Sequence, residues 1–122
     1  MSLLQNLRLP VIGAPMFLLS SPELVVASCR AGILGSFPAL NARTSEELDE
    51  WLTRIKVEVG ERPFGVNLIV HSSNPRVEAD LQVLARHQVP LVITSLGAVS
   101  ELVEAVHGWG GQVFHDVVQR RH

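Results

Sequence analysis

The chain has 122 residues, which is the length of one small domain, and nearly half of them are apolar, enough for a core and too many for disorder. A formal charge of −2, with basic residues scattered except for Arg120-Arg121, gives no electrostatic footprint for nucleic acid. No apolar run approaches the ~18 residues that span a bilayer, Met1-Ser2-Leu3-Leu4-Gln5 lacks the basic region and long apolar core expected of a secretion signal, and the single cysteine, Cys29, excludes an internal disulfide. A cytoplasmic protein in a reducing compartment is the expectation.

Strand-like and helix-like segments alternate along the chain. The first strand is Val11 to Ala14, running directly into Pro15-Met16. Gly13 and Ala14 carry almost no side chain, so a flat ligand could approach this backbone closely. Ser21 is a helix cap, Pro22 suits the first turn and Glu23 suits the positive dipole end. That helix runs to about Arg30, with Gly32 as its stop. A second strand, Ile33 to Phe37, is interrupted by Gly35, and a loop follows from Pro38 to Arg43. Thr44 and Glu47 then have the offset of a capping box. Leu48, Leu52, Ile55 and Val59 mark the buried face of the second helix, which Gly60 ends.

Pro63 leads into a third strand, Phe64 to Val70. Asn74-Pro75 caps a third helix with an apolar face of Val77, Leu81 and Leu84. Pro90 leads into a fourth strand, Leu91 to Thr94. The fourth helix uses Val99, Leu102, Val103 and Val106 and ends near Gly108 to Gly111. Gln112 to Val117 is a fifth strand, and Val118 to His122 is the approach to a further helix. The interval between strands, roughly 20–30 residues, suits βα units with parallel strands. The strands are apolar runs, as in a sheet covered on both faces. One domain spans 1–122. Two folds fit this order: a five-stranded doubly wound sheet, favoured by length, and part of a (β/α)8 barrel, which needs ~250 residues.

Few side chains suggest chemistry on their own. Cys29 lies in an apolar helical pattern and reads as a buried, inert thiol. His71 follows the third strand and His115-Asp116 ends the fifth, but no His-x-His or His-x-x-x-His spacing supports a metal, and none is assigned. His71 is a loop histidine; His115 either lines the site or satisfies a backbone hydrogen bond. His87 and His107 sit near helix ends, where a cation suits the dipole. Trp51 and Trp109 are packing residues. Ser20-Ser21 and Ser72-Ser73 lack a nucleophile elbow.

Four segments occur in order: Gly13-Ala14-Pro15-Met16, Gly35-Ser36-Phe37-Pro38-Ala39-Leu40-Asn41, Pro63-Phe64-Gly65-Val66-Asn67-Leu68 and Val113-Phe114-His115-Asp116-Val117. Together they resemble the N-terminal part of the nitronate monooxygenase (2-nitropropane dioxygenase) family. The resemblance implies the first five strands and four helices of a (β/α)8 TIM barrel, incomplete in this chain. It implies FMN bound at the C-terminal ends of the strands and oxidation of alkyl nitronates by O2; some relatives are flavin-dependent quinone or enoyl reductases. By motif, Ala14, Pro15 and Met16 lie against the isoalloxazine ring and Asn67 hydrogen-bonds the flavin. Asp116 stands where some relatives carry a flavin-contacting lysine.

The family's catalytic histidine lies in a Gly-His segment after the next strand, and its phosphate site uses later glycine-rich loops. Neither pattern occurs in these 122 residues. No catalytic residue is therefore assigned, and the isolated chain is expected to bind FMN weakly or not at all, without turnover. Two alternatives stay open. One is a non-enzymatic, doubly wound binding module. The other is a barrel fragment that self-associates through unpaired strand edges.

Overall fold

The computed structural model describes residues 3–97 and 99–117. The elements are α1 (Pro22–Arg30), β1 (Gly35–Pro38), a 3-10 turn (Ala39–Asn41), α2 (Ser45–Val59), β2 (Phe64–Ile69), α3 (Val77–His87), β3 (Leu91–Ser95), α4 (Ser100–Gly108) and β4 (Gln112–His115). The expected approach to a helix at 118–122 lies outside the described residues.

All strand pairs are parallel, and their order is β1-β2-β3-β4. On the far side of β1 the expected first strand, 11–14, is reduced to one parallel bridge between Ile12 and Leu34. Leu34 N donates to Val11 O at 3.0 Å and Gly13 N to Leu34 O at 2.8 Å. Pro10 and Pro15 bracket this segment and remove the N–H groups that would lengthen the ladder. Chain order is thus kept across all five positions. A doubly wound sheet reverses its order at a switch point, so that alternative is excluded. Sequential parallel strands with helical crossovers form an arc of a (β/α)8 barrel.

The two faces of the arc differ. Phe37, Phe64, Val66, Leu68 and Val92 join buried residues of all four helices in the main core. Because side chains alternate along a strand, Gly65 and Asn67 of β2 face the other way, toward the barrel interior. There Leu34, Leu91 and Ile93 form a second cluster, covered by Leu3, Leu7 and Ile12. A Cβ on Gly65 would lie 3.2 Å from Leu91 Cδ2 and 3.5 Å from Leu34 Cδ2, so the glycine lets those two leucines approach across it.

Local signals set the helix ends. Ser21 Oγ accepts from Leu24 N at 3.2 Å, and Thr44 Oγ1 from Glu47 N at 3.0 Å. Glu47 reaches past Thr44 to Arg43 N, at 3.5 Å. The cap expected at Asn74-Pro75 is displaced: α3 begins at Val77 with Arg76 as its N-cap. Asn74 instead shapes the preceding loop, accepting from Arg76 N at 3.0 Å and donating to Ile69 O at 2.8 Å. Phe37 and Trp51 stack at a tilt of 55° with centroids 5.7 Å apart, and Trp109 donates to Val89 O at 2.9 Å, so both tryptophans pack as expected. No described helix is long and apolar enough to cross a membrane.

Candidate functional site at the C-terminal ends of the strands

Parallel strands place all their C-terminal ends on one rim. The loop leaving the 11–13 segment carries Ala14, Pro15 and Met16 to that rim; Ala14 and Met16 are exposed and Pro15 is half-buried. The loop is tied down tightly. Met16 N donates to Ser20 Oγ at 2.8 Å. Asn41 Nδ2 donates to Met16 O at 3.1 Å and to Ser20 O at 2.8 Å, while Asn41 Oδ1 accepts from Leu18 N at 2.9 Å. This clamp holds Leu18 at φ +67°, a left-handed conformation unusual for a leucine. Ser36 Oγ donates to Gly13 O from the interior side of β1. A Cβ on Gly13 would find its nearest neighbours at 3.8 Å, so the fold itself does not require the glycine there.

Asn67 lies near the end of β2 and is 8% exposed. Its Nδ2 donates to Ile93 O at 2.9 Å and to Ser95 Oγ at 2.8 Å. Because a backbone carbonyl only accepts, the amide orientation is fixed. Ser95 Oγ in turn donates to Asp116 Oδ2 at 3.1 Å. Asp116 is set beside Ser95 because its own N–H extends the β3–β4 ladder by one bond, to Thr94 O at 2.9 Å. The result is a directional relay, amide to hydroxyl to carboxylate, across β2, β3 and the end of β4. Both amide hydrogens of Asn67 are consumed inside the protein, and its Oδ1 is the group left to receive a donor.

The structure therefore joins Asn67 to Asp116 through Ser95, and holds Ala14 to Met16 separately through Ser20, Asn41 and Ser36. Ser95 and Asn41 were not singled out from sequence. Asn41 stood inside a resemblance motif; Ser95 is a lone serine at a strand end with no distinguishing spacing. His115 leaves the interior face. It hydrogen-bonds the Thr94 hydroxyl through Nδ1 and lines a groove with Val99, Ser100, Val103 and Glu104 on the helix side. Its partner is a side chain, not the expected backbone group. His71 is exposed and bonds Ser73 within its own loop. Among the described residues, no group of three His, Cys, Asp or Glu side chains is placed to hold a metal. Cys29 is 1% exposed and donates to Pro63 O at 3.4 Å. Burial pushes its thiol above the usual range, which makes it the inert cysteine expected.

A large open groove of about 930 Å³, lined by Leu3, Leu7, Gly32, Pro63, Pro90 and Gln112 among others, lies at the opposite pole. Pro63 and Pro90 immediately precede β2 and β3 there. Ligands of parallel α/β barrels bind at the C-terminal pole, so size does not identify the site.

The fold and rim define an arc of a parallel (β/α)8 barrel with a small-residue loop and a polar relay at its C-terminal edge. No family model and no curated protein matches the chain. Among solved structures it is similar to FabK from Thermotoga maritima and to a methionine-to-alanine mutant of that protein. Both comparisons give a TM-score of 0.83 at 24% identity over 96% of this chain. The chain spans just over a third of those proteins, 36% and 38% of their lengths.

Proposed function

We propose that this chain forms the flavin-facing arc of an FMN-dependent barrel oxidoreductase of the nitronate monooxygenase type, oxidising alkyl nitronates with O2 in the cytoplasm. The observation that carries the reading is the Asn67 amide. It is fixed by two internal bonds, with its Oδ1 left as an acceptor on the binding rim. A flavin edge presents one ring N–H between two carbonyls, and Oδ1 is a partner for that donor.

The residues present fit such a ring. Ala14 and Pro15 offer a low-relief backbone surface, and the Asn41 and Ser20 bonds hold that surface in place before any ligand arrives. Preorganisation of this kind lowers the ordering cost of binding. Bound FMN supplies a two-electron acceptor that no amino-acid side chain provides. Asn67 orients it, and the Ala14 to Met16 loop supports one face. Asp116, through Ser95, keeps the hydroxyl proton directed away from Asn67, which preserves the amide's polarity. None of these residues serves as a base, and no catalytic residue is assigned.

The reading is tested by supplying the FMN-loaded intact protein with an alkyl nitronate and following O2 consumption. Nitronate-dependent uptake, lost on removal of the flavin, is the expected result. Flavin reduction by a nicotinamide cofactor without nitronate-dependent uptake overturns nitronate oxidation and leaves a flavin reductase.

A further inference from the structure

We infer that Arg76 is a positioning residue for the Met16 loop, acting at a distance through Asn41 and itself aimed by the buried carboxylate of Asp80. Met16 hangs on the Asn41 amide, so whatever fixes Asn41 fixes the loop. Asn41 ends a single 3-10 turn, Ala39–Asn41, whose N-cap has no side-chain bond. One turn of this kind has little stability of its own. The Arg76 guanidinium grips the carbonyls on either side of Asn41, donating from Nη1 to Ala42 O at 2.7 Å and from Nη2 to Ala39 O at 3.4 Å.

Arg76 is aimed by Asp80. Asp80 Oδ1 accepts from Arg76 Nε at 3.3 Å and Nη2 at 3.1 Å, and from Ser45 Oγ at 2.7 Å. Asp80 is fully buried, and its Oδ2 has no hydrogen-bond partner. A buried ion pair with an unsatisfied oxygen contributes little net stability, and apolar residues of similar volume often do as well. A planar fork that spans two carbonyls, however, has no apolar substitute. The arrangement sacrifices stability and gains geometry. It ties three successive rim loops in series: Arg76 after β2, Ala39 to Ala42 after β1, and Met16 after the 11–13 segment.

The inference rests on the proposed flavin site only for its purpose; the mechanical coupling is testable without flavin. A 13C-methyl methionine label gives Met16 a resonance, assigned by its loss in Met16→Leu, that reports the loop directly. The double variant R76M/D80L removes both charges together and keeps the volume, avoiding an orphaned buried carboxylate. In the intact protein we expect a cooperative melt, a Met16 methyl resonance that broadens or moves toward its unfolded position, and FMN affinity about tenfold weaker. Arg76→Lys keeps the charge but lacks the fork, and gives an intermediate shift; it also carries the test should the double variant not fold. Arg54→Met, which removes only the exposed ion pair to Glu23, leaves the Met16 resonance in place. An unchanged Met16 resonance in a folded Arg76 variant overturns the inference. Failure of the intact protein to bind FMN overturns the flavin reading instead, and leaves the methyl result to decide this one.

Discussion

Asn67 and Ser95 sit on adjacent strands, and the 2.8 Å bond between them runs one way: the amide gives its hydrogen and the hydroxyl receives it. That direction follows from the next bond, in which Ser95 gives its own hydrogen to Asp116. A carboxylate at the end of the relay thus reinforces the amide orientation that the Ile93 carbonyl sets. Ser95→Ala deletes the middle of the relay and leaves one amide hydrogen without a partner. The expected cost is about 1 kcal/mol in unfolding free energy, read from urea denaturation, with FMN affinity reduced in parallel. Unchanged affinity in this variant means that the relay does not orient a ligand group.

Two glycines that face α1 differ in how closely the helix approaches them. A Cβ at Gly35 falls 2.7 Å from Val25 O and 3.0 Å from Ser28 Cβ, so Gly35→Ala pushes α1 off β1. It is expected to destabilise by about 1–3 kcal/mol. Gly13→Ala meets nothing closer than 3.8 Å. It is expected to leave the denaturation midpoint nearly unchanged, because the added methyl group points toward Ser28 of α1 and meets only ordinary contact distances. A large fall in the Gly13→Ala midpoint contradicts that placement.

Acid stability has an identifiable source between α2 and α3. His87 Nε2 lies 2.6 Å from Asp49 Oδ1, and Arg86 Nη2 lies 3.9 Å from the same oxygen. The hydrogen bond from His87 holds the Asp49 carboxyl below its ordinary value, with the charges of His87 and Arg86 adding to it and partial burial opposing. A carboxyl depressed in the folded state contributes stability that is fully present above its unfolded value, near 4. It is lost as pH falls through the folded value. Asp49→Asn is therefore expected to flatten the acid side of the stability profile below about pH 4 and to change little near neutrality. An acid limb as steep as that of the parent assigns the transition to other groups.

Within the described residues β4 pairs only with β3, and Phe114 and Val117 near its outer end are exposed. An open edge of this kind recruits another strand. The 122-residue chain produced alone is expected to self-associate through this edge, seen as a concentration-dependent sedimentation coefficient. Phe114→Lys places a charge there and is expected to shift the chain toward monomer. A parent chain that stays monomeric at all concentrations removes this expectation.

Much of the fold was legible because its signals are local. Thr44, Glu47 and the Leu48-Leu52-Ile55-Val59 stripe announce α2 without reference to any other element. The 11–14 strand was harder. Its apolar residues are right for a strand, but the extent of its ladder depends on Leu34 and on two prolines. Asn74 shows the same limit at a smaller scale: its side chain makes a turn as well as a cap, and the choice rests on the carbonyl of Ile69. At the candidate site, Asn67 and Asp116 were both named through the resemblance. Ser95 and the Arg76–Asp80 pair were not found. Their meaning comes from register and burial between residues more than twenty positions apart, and sequence spacing does not encode it.

The central claim is that this rim holds a flavin, and the most direct measurement is the intact mass and visible absorption spectrum of the protein purified from its natural source, taken on one sample. The account predicts flavin absorption bands in stoichiometric proportion, lost on denaturation as free FMN, and a mass large enough for a complete barrel. A protein that is colourless as purified and stays so after incubation with excess FMN contradicts it.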